Sequence, residues 1–293
     1  MTLAIASVAV CALIWGTTWY AITFQLGTVD PVASIVWRFG LASAILFVLC
    51  RVTGRSVRLT RFQHLAAAAQ GGLAFGVSYA LVYAAEARVS SAIVAVAFAG
   101  MALMNLIMFR LVERQSARRG VWIGAGLGAL GVAVMSGGEL IGADLGPAAT
   151  LGVIFSLLAA AASTGGNYFA WRGQTAGSEV LPMTAWAMAY GTLGLGLFGL
   201  VTGVHWTLDL SPAYLISLVY LSVFGSVIAF ALYLNLGRSH GYTLASYIGA
   251  LTPVIATIVS VVFEGARFQW TALAGLVLVI AGQVLVIRTP KTT

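Results

Sequence analysis

The chain has 293 residues, 60% hydrophobic and 8% charged. A soluble domain carries about 25% charged residues; too few charges are present here to clothe a soluble core, so lipid is the solvent for most of the surface. The net charge of +7 does not point to nucleic acid, because the basic residues fall in short loops between apolar runs.

A helix needs about 20 apolar residues to cross the hydrocarbon core. The runs do not alternate as barrel strands would, and a helix satisfies its own backbone. Spans are predicted at residues 3–24, 31–50, 63–85, 90–110, 120–136, 148–170, 182–202, 213–235, 242–263 and 270–288. The first run lacks a basic leader region and is too long for a cleaved signal peptide, so it reads as a span. The fifth is short for a span. Pro31, Pro147, Pro182 and Pro212 lie at or near span starts, where proline is tolerated. Pro253 lies mid-span, where it frees a carbonyl and bends the helix; it is a hinge candidate beside the alternative of a static kink. Gly72 and Gly76, Gly124 and Gly128, and the pairs Gly124/Gly131 and Gly275/Gly282 read as close helix contacts. Cys11 and Cys50 sit in apolar runs, so neither a disulfide nor a metal site is expected.

The loops set the expected orientation. Arg51, Arg55, Arg58, Arg61, Arg110, Arg114, Arg118, Arg119, Arg172, Arg238, Arg288 and Lys291 share one side of a ten-span chain, which makes twelve of the fifteen basic residues. The positive-inside rule then puts both termini in the cytoplasm.

Landmarks repeat at one offset once a single-residue gap is allowed. Tyr83 and Tyr233, and Arg88 and Arg238, are 150 residues apart; Glu113 and Glu264, Gly124 and Gly275, and Gly131 and Gly282 are 151 apart, as are Pro31 and Pro182. So long a period indicates duplication rather than a solenoid. The expected fold class is an all-α membrane protein of ten transmembrane helices built as two inverted five-helix repeats, residues 1–141 and 142–293. An odd number of spans per half inverts the second half, the architecture of transporters that open one cavity to each side in turn. A channel or scaffold is the alternative.

Polar and aromatic residues inside spans mark the expected cavity, because a hydroxyl or amide in lipid is costly. Trp15 and Trp19 share a face of the first span, Tyr79 and Tyr83 of the third, and Trp186 and Tyr190 of the seventh. Ser163, Asn167 and Trp171 form a stripe on the sixth, with Tyr168 beside it. Phe98 and Tyr247 lie near equivalent places in the fourth and ninth. The candidate substrate-binding residues are therefore Trp19, Tyr79, Phe98, Asn167, Tyr168, Trp186, Tyr190 and Tyr247, with Arg38 added. Tyr83, Trp171 and Trp270 have interfacial aromatic belts as their alternative. Arg38 carries the charge that lies well inside a span. Two readings of it stand: receipt of a substrate carboxylate, or snorkelling to the outer interface beside Glu86 or Asp30. His64, His205 and His240 lie in loops or at span ends and read as solvated.

Several of these pieces resemble one family. Trp15-Gly16-Thr17-Thr18-Trp19-Tyr20-Ala21-Ile22 is similar to the first-helix signature of the drug/metabolite transporter superfamily, EamA type. Arg38-Phe39 resembles that family's second-helix pair, and Glu264 with Gly275 and Gly282 its repeat end. Phe263 and Val112 stand where the family often has glycine before the Glu, and Leu103 stands where a repeat partner of Pro253 would be. The aromatic richness looks most like the aromatic amino-acid exporters (YddG type). The resemblance implies export of amino acids or related metabolites by alternating access from a bacterial inner membrane, by a monomer without cofactor, metal or nucleic-acid partner. Within transport the alternative is a drug or other metabolite permease. An intramembrane enzyme would need a nucleophile–base set or metal ligands within the spans, and a sensor would need a soluble domain that no loop can hold. Asp30, Glu139, Asp144, Glu179 and Asp209 fall in loops and Glu86, Glu113 and Glu264 at span ends near water, so facilitated movement is expected, with Glu86 and Glu264 the exceptions to examine.

Overall fold

The computed structural model describes residues 2–142, 146–240, 242–265 and 270–289. Its helices are α1 (Thr2–Thr23), α2 (Pro31–Val52), α3 (Arg61–Glu86), α4 (Ser91–Val112), α5 (Arg119–Gly142), α6 (Pro147–Thr175), α7 (Val180–Thr202), α8 (Pro212–Tyr233), α9 (Tyr242–Phe263) and α10 (Trp270–Arg288). The last turns of α8 continue to His240. No strand occurs among the described residues.

Among the described residues seven helices, α1 to α4 and α6 to α8, are long and apolar enough to cross a membrane, and shorter apolar stretches run over Leu251–Phe263 in α9 and Leu273–Gly282 in α10. The chain is thus an all-helical, multi-pass membrane protein. The fifth helix is longer than its apolar run suggests, at 24 residues, because helical backbone continues past Val134 through a polar, glycine-containing end.

Local chemistry fixes several helix starts. Asp30 accepts from Val32 N at 2.8 Å and Pro31 opens α2, while Ser211 and Pro212 open α8 in the same way. Thr60 and Gln63 form a capping box at α3. Each cap satisfies N–H groups that the first helical turn leaves without partners.

The chain forms two compact units, and they are not the two sequence halves. One comprises Met1–Tyr20, Ala84–Ala160 and Leu232–Thr293; the other comprises Ala21–Tyr83 and Ala161–Ala231. In the first unit α5 and α10 meet through glycine. A Cβ on Gly131 would lie 2.5 Å from the Gly275 carbonyl oxygen, and one on Gly282 would meet the Gly124 carbonyl oxygen. Gly16 of α1 lies against Ile255 and the Thr252 carbonyl of α9, and Ala92, Val96, Ala99 and Val279 pack α4 on α10. In the second unit, Ser43 of α2 donates to the Ala185 carbonyl of α7 at 2.9 Å, and Gly71 of α3 lies against the α7 backbone at Ala187 and Gly191.

Two stretches depart from α geometry. Residues Gly71–Val77 in α3 and Tyr220–Ile228 in α8 are π-helical. Both contain a Phe-Gly pair, Phe75-Gly76 and Phe224-Gly225, 149 residues apart. A π turn is rare and is frequent at functional sites.

Candidate functional site

The π turn of α8 holds Arg38. Ser222 Oγ donates to the Arg38 carbonyl at 3.1 Å, and Arg38 Nε donates to Ser226 Oγ at a long 3.4 Å. Ser222 and Ser226 are fully buried. The guanidinium carbon lies 4.6 Å from the centre of the Tyr79 ring and 5.0 Å from that of Phe39. Tyr79 and Phe39 meet edge to face at 4.6 Å. The Tyr83 hydroxyl, which donates to Gln25 Oε1 at 2.7 Å, lies beside the same guanidinium.

Arg38 is 1% exposed, and its Nη1 has no hydrogen-bond partner. The snorkelling reading is therefore wrong: the side chain stays among aromatic rings and serines. Among the described residues no carboxylate pairs with it. Asp30 caps α2, Glu86 meets Ser91, Asp209 accepts from Ser211, and Glu179 pairs with Arg55. A buried cation with an unused donor is costly, and such residues in membrane proteins mark functional sites.

Trp186 and Tyr190 belong to a different cluster of the same unit. Trp186 Nε1 donates to the Val57 carbonyl at 2.8 Å, in the loop before α3, and Phe47 packs on its ring. Tyr190 OH meets His64 Nδ1 at 2.9 Å. His64 is half-buried against Trp186, 4.9 Å between ring centres, so its expected solvated position is corrected. Tyr168 is buried and accepts from Arg172 Nη1 at 3.1 Å, while Asn167 is exposed. Next to them, Gly166 lies against Ala74 of the α3 π turn, and Ser163 Oγ meets Ser78 Oγ at 2.8 Å. Tyr83 is fully buried rather than part of an interfacial belt.

In the first unit, Trp19 packs on Phe98 with ring centres 4.8 Å apart; its indole N–H is buried without a partner. Pro253 is buried inside α9, which runs through it as helix, and Thr257 Oγ1 donates to its carbonyl at 2.8 Å. Tyr247 lies on α9, but its side chain is outside the described residues.

The structure thus joins Arg38 to Tyr79 and Trp19 to Phe98, and sets Trp186 and Tyr190 apart with His64. Sequence reasoning missed Ser222 and Ser226. The repeated Phe-Gly pair was the signal available for the π turns that place them. It also misplaced Glu86, which is 7% exposed rather than at a wet span end.

A polytopic, all-helical membrane protein with a buried arginine at a π turn and no carboxylate beside it has the features of a membrane transporter. The EamA-like transporter family model matches residues 2–137 and again 150–288, and the chain belongs to that family. It is 29% identical over 276 residues to YedA of Escherichia coli (strain K12), described as an uncharacterized inner membrane transporter, covering 90% of this chain and 85% of that one. It is 23% identical over 274 residues to protein PecM of Dickeya dadantii, covering 93% and 88%. A solved crystal structure at 18% identity shares the fold, with a TM-score of 0.70 over 97% of this chain and 96% of the other.

Proposed function

We propose that this transporter exports amino acids, aromatic and other neutral ones, across a bacterial inner membrane by alternating access. The observation that carries the reading is the buried Arg38 with an unused Nη1, a long bond to Ser226 and no carboxylate partner. A carboxylate binds a guanidinium through parallel N–H donors, and it would replace a weak serine contact with a charged one. Tyr79 and Phe39 beside the guanidinium offer ring faces and edges to an apolar side chain. Tyr79 and Arg38 are the first substrate residues in this account. Trp19, Phe98, Asn167, Tyr168, Trp186, Tyr190 and Tyr247 extend the candidate set, and Pro253 is the hinge candidate. A cationic drug is disfavoured by an unneutralised arginine, which separates this reading from a drug permease. The inner-membrane assignment takes support from the description of YedA.

The ten-span inverted repeat, with halves 1–141 and 142–293, takes support from the two family matches, one per half. The π turns in α3 and α8 sit at nearly equivalent places. Contacts also pair by repeat: α5 with α10, and α4 with α9. With both termini cytoplasmic, the Arg55–Glu179 ion pair at 2.8 Å joins two loops on the cytoplasmic side. Cysteines placed singly at 55–60 in a background without Cys11 and Cys50 should react with an impermeant reagent only from the cytoplasm, and those at 205–210 only from outside. Reaction of both sets from one side would remove the ten-span arrangement.

The substrate reading is tested in liposomes holding purified protein. Labelled neutral amino acids should exchange with an internal pool, aromatic ones fastest. Exchange no faster than in empty liposomes across the whole panel would sink it.

A further inference from the structure

A second polar cluster lies in the unit of α4 and α9, and the transport reading does not use it. Ser91 opens α4. Its Oγ lies 3.0 Å from Glu86 Oε2, at the end of α3, and closer still to Glu264 Oε1, just past α9. Glu264 is well supplied with donors. Ser91 N–H reaches its Oε2 at 3.2 Å, and Ser260 Oγ donates to the same oxygen. Ser260 Oγ in turn accepts from Ala92 N at 3.0 Å. Glu264 and Ser260 thus cap an α4 N-terminus that Ser90 leaves uncapped by its side chain, and a helix N-terminus favours a negative charge. Glu86 has no such supply. It is 7% exposed, and its Oε1 is buried with no partner.

Hydrogen counting then decides the charge. A serine hydroxyl carries one hydrogen, yet two carboxyl groups lie within hydrogen-bond distance of Ser91 Oγ. That hydrogen serves Glu264. The contact to Glu86 needs a second hydrogen, and a proton on Glu86 supplies it. Two carboxylates sharing one site cannot both be ionised cheaply. The charged neighbour on the same loop turns away: Arg88 donates through Nη1 to the Ala84 carbonyl and lies over the Phe155 ring of α6 at 5.3 Å. Toward α10 the surroundings are apolar, through Ala92, Val96 and Val279. Arg267 lies outside the described residues.

We propose that Glu86, Ser91 and Glu264 form a proton-binding relay through which this transporter couples substrate movement to a proton gradient. Glu86 gives its proton to Ser91 Oγ while the Ser91 hydroxyl proton passes to the Glu264 carboxylate. One proton and one negative charge exchange places, and the serine is unchanged. Loss of the proton from Glu86 leaves two carboxylates on one hydroxyl, a repulsion that loosens the joint between α3, α4 and α9. Protonation closes it. Facilitated movement, expected while Glu86 was placed in water, gives way to coupled movement. The coupling rests on the transport reading, but the proton site does not.

The site is tested by infrared difference spectra of the purified protein in liposomes between acidic and alkaline buffer, with no substrate added. Wild type should lose a protonated-carboxyl band as pH rises, E86Q should lack that band, and S91A should shift it. No such band in wild type, or the same band in monodisperse E86Q and E264Q, would overturn the relay. Coupling is tested with labelled phenylalanine under a pH step, each variant normalised to its own exchange. Wild type should accumulate phenylalanine and a protonophore should abolish this, while E86Q should show no response to the step. Accumulation driven by a sodium step instead, or wild-type exchange indifferent to the pH step, would overturn the coupling. If phenylalanine does not move at all, the substrate class is wrong, and the carboxyl band still decides the relay.

Discussion

Arg38→Ala is expected to cut amino-acid exchange at sub-saturating substrate by about 10- to 100-fold, the loss of a charged hydrogen bond worth about 1.5–3 kcal/mol. Arg38→Lys should recover little, because an ammonium lacks the planar fork that meets both carboxylate oxygens. A purely structural arginine would behave differently. Its removal would unfold the α2–α8 contact through Ser222 and Ser226. Here the Ser222 bond runs to the backbone carbonyl and survives substitution. Replacing a poorly paired buried charge with an apolar side chain is often neutral or stabilising, so Arg38→Met should keep or raise the thermal midpoint while exchange falls. A large drop in that midpoint, matching the loss of exchange, would assign Arg38 to packing alone.

Gly71→Val and Gly282→Val are expected to prevent stable folding or to lower the thermal midpoint sharply. Overpacking a tight site costs typically about 1–3 kcal/mol and occasionally more, and at these two positions the obstacle is backbone. A Cβ at Gly71 would meet the Ala187 carbonyl and lie 2.9 Å from Gly191 N, while one at Gly282 would meet the Gly124 carbonyl and lie 2.7 Å from Gly128 N. Neither obstacle can swing aside as a side-chain end can. Gly72 and Gly126 have nothing within 4 Å of an added Cβ, so Gly72→Ala and Gly126→Ala serve as controls and should leave the midpoint nearly unchanged. Equal losses at all four sites, measured by size-exclusion profile after heating, would contradict the close-approach account.

Most of the helices were legible because hydropathy sets them: among the described residues seven are long and apolar enough to cross a membrane. An apolar run of sufficient length in lipid has helix as its solution, and proline and capping residues mark the starts at Pro31, Pro147 and Pro212. The glycine contacts of α5 and α10 were legible for a related reason: a residue without Cβ, repeated two turns apart, has few uses besides close approach. The π turns were not. GGLAFGV reads as ordinary helix, since the change from α to π is a shift of hydrogen-bond register that composition does not record. Ser222 and Ser226 therefore passed as unremarked small residues in an apolar helix. Glu86 failed for a tertiary reason. It stands at a span end, where sequence implies water, but Ser91 at the start of α4 and Glu264 just past α9 gather beside it. Trp186 was expected to face the cavity; it is half-buried and its N–H is engaged by the Val57 carbonyl, a loop partner that no pattern in the chain announces.

Whether Arg38 receives a carboxylate is decided by competition in wild-type liposomes. Exchange of labelled phenylalanine is measured against unlabelled phenylalanine and against phenylalaninamide, which keeps the ring and the amine and lacks the carboxylate. Phenylalanine should compete, and phenylalaninamide should fail to compete at the same concentration. Equal competition by the two would contradict a carboxylate at Arg38.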